Sequence, residues 1–298
     1  MANKGIKRTA EFYERLQKYI LTPAQLKDNG FPEFVPGEPD TVTMKKSDTF
    51  LQNQCSNPNE RTCVRCANRF LISNNGKIRC QHHWGRSFRN QPFSGCGCRS
   101  RSKGCVIAEC HVYEDNKFTD VHGYVCTTEG TGVEEEPGVY ALDCEMVFTT
   151  AGSELAKVTV VDQDLKVVYD KVVKPGNRVI NHNTRFSGLT EKDLRGVTTS
   201  LQDVQDDLLR LFNDKTILVG HSLEHDFLVL KLVHRTVVDT SVVFPHRLGR
   251  PYKKGLKKLC EDYLGKRIQN KVGGHDSAED ASACMELMQK KVRMSSCY

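Results

Sequence analysis

Between Arg61 and Lys103 the sequence has no aspartate or glutamate, although it has ten lysines or arginines there. No apolar run approaches the roughly 20 residues that a membrane span needs. The opening MANKGIKRTAEFYERLQKYI lacks the apolar core of a cleaved signal, so membrane and secreted classes are not expected. Internal repeats of roughly 20 to 50 residues are also absent, which excludes solenoids and propellers. There is one tryptophan against 13 phenylalanines, and hydrophobic residues make up 38% of 298. That is enough apolar material for a sizeable core, so wholesale disorder is excluded too.

Cysteine, by contrast, is abundant and unevenly placed. Eight of the 13 lie between Cys55 and Cys110, and Cys126, Cys144, Cys260, Cys284 and Cys297 are scattered as core candidates. In a reducing compartment, clustered Cys interleaved with His favours metal over disulfides. Charge is uneven as well. The net +6 hides the acid-free stretch above and a second basic stretch at residues 247–271, with nine Lys or Arg against Glu261 and Asp262. Each stretch suits a polyanion, or is simply a solvated basic face.

The pattern divides the chain. Residues 1–54 form a helical and extended segment, with a helix over 11–20 and another starting at Thr22-Pro23. Residues 55–126 are rich in Cys, His, Gly and Arg and show little periodicity, so they need a staple such as metal. Residues 127–137 read as an acidic linker. Residues 138–298 change texture. Strands are expected at 139–147, 158–161, 167–173, 217–219 and 237–244, the second and third forming a hairpin. Helices are expected at 200–214, 224–232, 255–264 and 277–294. This is an α/β mixed sheet flanked by helices.

Asp143 and Glu145 lie two apart in VYALDCEMV, so on a strand they share one face. On a central strand two such acids repel and lose hydration unless a divalent cation opposes them. The alternative is an edge strand with one solvated face. Asp226, in GHSLEHD, stands just beyond a short strand at the start of a helix; alone it would be an ordinary first-turn acid. GGHDSAED adds Asp280 and places His275 beside paired glycines. Ser277 with Asp280 reads as a capping box, so an ordinary helix start is the competing reading. Four carboxylates around two Mg²⁺ or Mn²⁺ ions, with His275 as base, are suited to phosphodiester hydrolysis.

The motifs ALDCEM, GHSLEHD and GGHDSAEDA resemble the three motifs of the DEDDh 3′→5′ exonucleases. Within that family the chain is similar to the RNA exonuclease 1 homologue group and its GOR-antigen-like relatives. The similarity continues through TRFSGLT, DTSVVFPHRLG, PYKKGLKKL and LTPAQLKDNGFP. It implies a ribonuclease H-like fold preceded by a small zinc-binding module, and release of 5′-mononucleotides from the 3′ end of single-stranded RNA. It also implies catalytic roles for Asp143, Glu145, Asp226, Asp280 and His275, with Phe186, Ser187, Gly188 and Leu189 holding the terminal nucleotide. Phe186 is a candidate to stack on a base, or else a buried loop aromatic. A nuclear location is implied; no membrane contact is expected from the hydropathy, a monomer is expected, and the motifs name no protein partner. A DNA exonuclease of the same superfamily and a zinc-dependent RNA-binding adaptor are the alternatives.

In the Cys/His stretch, Cys63-x2-Cys66 with Cys80-x2-His83 has the spacing of a structural Zn²⁺ site. Cys96, Cys98, Cys105 and His111 form a less regular second set, so one or two structural zincs are expected. His82 and Cys110 are alternative ligands and Cys55 is unassigned. The family has an adjacent Cys pair where this chain has Cys96-Gly97-Cys98, a departure that bears on Cys96. A RING-type cross-brace does not fit, because no Cys follows soon after His83. The acid-free stretch suggests that the module also guides single-stranded RNA, with salt-dependent affinity.

Overall fold

A computed structural model describes residues 10–46, 55–85, 87, 91–114, 120–129, 137–270 and 273–295. The second half of the chain is built on a six-stranded mixed sheet. Its centre is β1 (Val139–Thr149), from which β2 (Gly152–Asp162) and β3 (Val167–Val172) continue as an antiparallel meander. β4 (Val179–Asn181) pairs with the far end of β1. On the other side β5 (Ile217–Gly220) runs parallel to both β1 and β6 (Val237–Asp239), giving the order β3-β2-β1-β5-β6.

Parallel neighbours require crossovers, and short helices supply them. α1 (Thr184–Ser187) and α2 (Leu201–Leu211) precede β5, α3 (Glu224–Leu230) joins β5 to β6, and α4 (Ser277–Met294) ends the described fold. Ser200 caps α2 with a capping box completed by Asp203. Strand alternation then sorts the side chains. Val139, Ala141, Ile217, Val219 and Val238 face Ala281, Met285 and Met288 of α4. Leu142, Cys144, Leu218 and Val237 face Val204 and Leu208 of α2 and Phe227 and Leu230 of α3. Both faces are therefore covered, as a sheet with parallel strands demands.

The N-terminal stretch packs on this sheet too. A helix over residues 10–16 continues into Gln17–Tyr19, and Thr22 caps Pro23–Asn29 with a full capping box. Leu16 enters the α4 face, whereas Leu26 and Phe31 enter the other. Just before the acidic stretch, Val125–Cys126 pairs with Leu232–Val233, and buried Thr127, its first residue, shares a hydrogen bond with His234 Nδ1 at 2.8 Å. Its residues 130–136 lie outside the described ones.

Three expectations change. The strand expected at 237–244 stops at Asp239, where the carboxylate caps the turn Thr240–Val243. The α4 cap is Asp276, whose side chain accepts from Ala278 N, so Ser277 is the first helical residue and no Ser277 capping box forms. Of the scattered cysteines, Cys144, Cys260 and Cys284 are buried, but Cys126 is exposed; Cys297 is outside the described residues. Among the described residues no helix is long and apolar enough to cross a membrane.

Phe227 is fully buried and meets Phe31 edge-on at 5.5 Å between centroids. Phe227→Ala is expected to cost about 3–5 kcal/mol, measured by urea unfolding. A loss below about 1 kcal/mol would show that the N-terminal segment does not seal this face.

Candidate functional site

β1 carries the first two acids past the end of its parallel neighbour. Pairing with β5 runs from Val139 to Ala141, and beyond Gly220 the chain turns away into α3. The edge thus left open is filled by Asp226, whose Oδ1 accepts from Cys144 N at 2.8 Å. Asp143 and Glu145 extend the Val139/Ala141 row and so face α4, which presents Asp280 from its first turn. The cluster lies beyond the carboxyl ends of the parallel strands, where open α/β sheets place their ligands.

Crowding dominates its electrostatics. Glu145, Asp226 and Asp280 are buried, and Glu145 Oε1 and Asp280 Oδ1 have no hydrogen-bond partner. Burial, then the charges of Asp226, Asp280 and Glu145, push the Asp143 carboxyl well above the usual range. Burial, then Asp280 and Asp226, raise Glu145 to about 9 against the opposing effect of Lys157, which stands across from it on β2. Asp226 is raised to about 8 by burial, although its Cys144 hydrogen bond works the other way. Asp280 rises to about 6 through burial, tempered by a 2.8 Å hydrogen bond from Gln269 Nε2. Buried oxygen donors crowded beyond what Lys157 offsets fit hard divalent cations such as Mg²⁺ or Mn²⁺.

His275 stands at the rim, 35% exposed, with Nδ1 3.5 Å from Asp280 Oδ2. Burial and the nearby Lys257 hold its pKa below the ordinary value, so the imidazole is neutral near pH 7. Its backbone is locked to α1: His275 N donates to Phe186 O at 2.8 Å. Glycine makes this approach possible. A Cβ on Gly274, at φ +111°, would lie 2.3 Å from Thr184 O, and one on Gly188, at φ +68°, would lie 2.6 Å from His275 O.

The four loop residues play different parts. Phe186 is 42% exposed and meets the His275 ring edge-on at 6.0 Å, so it is not a buried loop aromatic. Ser187 and Leu189 are buried and hold the loop's shape: Ser187 Oγ donates to His182 O at 2.7 Å and accepts from Leu189 N at 3.1 Å. Gly188 supplies the left-handed turn.

Two supporting residues escaped the sequence reading. Buried Asp239 accepts from Ser222 N (3.0 Å), Leu223 N (3.2 Å) and Ser241 N (2.8 Å), fixing the turn that delivers Asp226. Lys253 pairs with buried Glu224 at 2.5 Å. An acid ending the apolar run VVD was the available signal for Asp239; nothing local pairs Lys253 with Glu224.

The Cys/His stretch gathers its donors into two groups, Cys63, Cys66, Cys80 and His111, and His83, Cys96, Cys98 and Cys105, with ligand atoms within 4.8 Å of one another. These are the expected eight residues with the two histidines exchanged. The reason is the antiparallel pair Cys80–His82 with Val106–Ala108. Its register, His82↔Val106, carries His83 towards Cys105 and leaves residue 111 on the Cys80 side. The second group is nested inside the first, and His82, Cys110 and Cys55 belong to neither. A tetrahedral ion with Zn–S near 2.3 Å implies sulfur–sulfur edges of about 3.8 Å. Cys63 Sγ and Cys80 Sγ are 3.7 Å apart, and Cys66 Sγ–His111 Nδ1 and Cys96 Sγ–His83 Nδ1 are 3.4 and 3.5 Å. Both groups therefore fit zinc. The first adjoins the loop before α1: Arg65 Nη2 donates to Asn181 Oδ1 and Asn183 Oδ1 at 2.9 and 3.0 Å.

The raised acids carry a stability consequence. Without a metal, the fold holds a proton on Glu145 that the unfolded chain releases, so stability falls as pH rises from 4.5 towards about 9. Glu145→Gln is expected to flatten that fall and raise the melting temperature near pH 8 by about 3–10 °C, read in melts without added divalent ions. Mg²⁺ is expected to stabilise the parent more than the variant. Equal melting curves with and without the acid would mean that it is not strained.

The RNase T exonuclease family model matches residues 140–288, half of the chain. The human RNA exonuclease 1 homolog is 47% identical over 296 residues, covering 95% of this chain and 24% of that protein. The human putative exonuclease GOR is 45% identical over 304 residues, covering 97% and 44% respectively. The chain thus spans less than half the length of these relatives. Among solved structures, the Neurospora crassa Pan2 catalytic unit (protease and nuclease domain) superposes with a TM-score of 0.50 at 25% identity, over 62% of this chain and 32% of that one. A mixed α/β sheet is the fold that goes with these similarities, and the chain belongs to the RNase T exonuclease family.

Proposed function

We propose that the chain is a metal-dependent 3′→5′ exoribonuclease that releases 5′-mononucleotides. The observation that carries this reading is the convergence of four carboxylates with His275 and the Phe186 loop at one rim. RNA is favoured over DNA by the relatives' names, RNA exonuclease 1 among them. A nuclear location belongs to the same reading and rests on the family resemblance. Residues 55–126 act in it as a zinc-stapled module ahead of the nuclease domain at 138–298.

Asp143, Glu145, Asp226 and Asp280 would hold two divalent ions, which when bound supply a nucleophilic water and neutralise charge on the leaving 3′-oxygen. The chain's own groups do the rest. Asp280 sits beside Nδ1 of His275 and orients the ring, leaving Nε2 to take the proton from the attacking water. The depressed pKa keeps that nitrogen free at neutral pH. Phe186 offers an exposed ring for the terminal base, next to the histidine that its own carbonyl holds in place.

With labelled single strands, Mg²⁺-dependent release of 5′-mononucleotides from RNA 3′ ends is expected, with slower loss from DNA. Asp143→Asn is expected to lower kcat at least about 1,000-fold, and His275→Ala to lower kcat about 100-fold or more with little change in RNA affinity. Activity persisting in Asp143→Asn, or equal losses of rate and affinity in His275→Ala, would overturn the assigned roles.

Elemental analysis is expected to find two zincs per chain, one lost in Cys63→Ser and one in Cys96→Ser. A metal-free purified parent with unchanged folding would remove the zinc assignment.

A further inference from the structure

Phe186 meets the His275 ring on one side, and on the other it lines a cleft of about 810 Å³ that runs between the Cys/His module and residues 180–186. That volume is at the upper end of single-ligand sites and exceeds what one terminal nucleotide fills. The cleft walls include Val64, Arg65, Trp84, Ile107 and Arg185, with Glu109 as an acid. Trp84 carries the Arg185 guanidinium 4.1 Å from its ring centroid. Val64 and Ile107 are 53% and 61% exposed. Arg65, tied to Asn181 and Asn183, adds its charge where the module meets the loop.

This mixture is informative. A groove for duplex backbone is expected to show cations alone, whereas exposed aromatic and aliphatic surface beside arginine matches unstacked bases joined by phosphates. Position points the same way. A strand whose 3′ nucleotide rests on Phe186 next to His275 continues, on its 5′ side, into whatever concavity adjoins Phe186. Much of the cleft's module wall comes from the stretch between Arg61 and Lys103 that has no acidic residue.

We infer that the cleft between the Cys/His module and the Phe186 loop binds the single-stranded RNA segment immediately 5′ of the nucleotide being removed. Trp84 stacks on a base, Arg185 and Arg65 neutralise phosphates, and Val64 and Ile107 cover base faces. Residues flanking the nested Cys/His groups make the wall, so the module contributes substrate surface as well as its own fold. This inference rests on the exoribonuclease reading, and its test separates the two.

Trp84 is the chain's only tryptophan, so its emission reports the cleft. The Asp143→Asn chain, residues 1–298, is titrated with 5′-labelled oligouridylates of two and ten nucleotides, following Trp84 emission and label anisotropy together. The longer strand is expected to change Trp84 emission, and the dinucleotide is not. In the active chain, Trp84→Ala is expected to lower the ratio of kcat/KM for the ten-nucleotide over the two-nucleotide substrate about tenfold. Ile107→Glu, at an exposed position, is expected to shift the ratio the same way even if Trp84→Ala disturbs the adjacent His83. Binding of the long strand with unchanged Trp84 emission and unchanged ratios overturns the track and leaves the nuclease reading standing. Failure of the parent to bind or hydrolyse any strand overturns both.

Discussion

The repulsion among four carboxylates is the constraint on which the rest of this structure depends. Among the described residues nothing neutralises them fully: Lys157 stands across from Glu145 but also pairs with Asp170 at 3.1 Å, and Gln269 contributes only a neutral donor to Asp280. Buried acids with raised pKa values are a standing cost to stability, and they are carried by elements packed well enough to bear it. The sheet is covered on both faces, and the acids sit where the pairing of β1 with β5 ends. Their burial follows from the same geometry that makes them available to a cation.

Around that cluster the fold uses backbone donors to hold side chains that have no charged partner. Cys144 N steadies Asp226, and three amides steady Asp239, which in turn fixes the turn ahead of α3. Asp226 is therefore located from two directions. The arrangement separates placement from charge: amides set where a carboxylate sits, while its ionisation is left to whatever binds. That division suits a metal site, because ligands that were already paired would have to be unpaired before an ion could bind.

Much of this was legible in the sequence, and its limits are physical. Asp143 and Glu145 could be placed on one face because a strand repeats every two residues. The helix over 277–294 could be read from its periodicity. Local patterns carry no information about which distant segments meet, so the exchange of His83 and His111 was invisible: both histidines have plausible spacing, and only the register of Cys80–His82 against Val106–Ala108 decides. The strand expected at 237–244 failed differently. Its β-branched residues continue past Asp239, but the carboxylate caps a helical turn there, and a side-chain cap prevails over propensity. Gly188 was expected to help hold the terminal nucleotide and Gly274 stood out only as one of the paired glycines beside His275; their use in letting two loops touch backbone to backbone exists only once the loops are together.

That contact makes the Cys/His module more than an attachment. The Cys63–Cys66 knuckle contains Arg65, and Arg65 holds Asn181 and Asn183. Asn183, itself in a left-handed conformation, accepts from Phe186 N at 2.8 Å, and Phe186 O accepts from His275 N at the same distance. A run of hydrogen bonds thus leads from a metal-suited knuckle to the backbone amide of His275, at the acidic rim. No link in it is strong alone, since an ordinary hydrogen bond contributes only about 1 kcal/mol net. Its effect is geometric. With α1 only four residues long, the loop has little internal stability, and its position is set by what it touches at each end. One end is the knuckle and the other is the paired glycines before His275, so the order of the metal-suited module is transmitted to the position of His275.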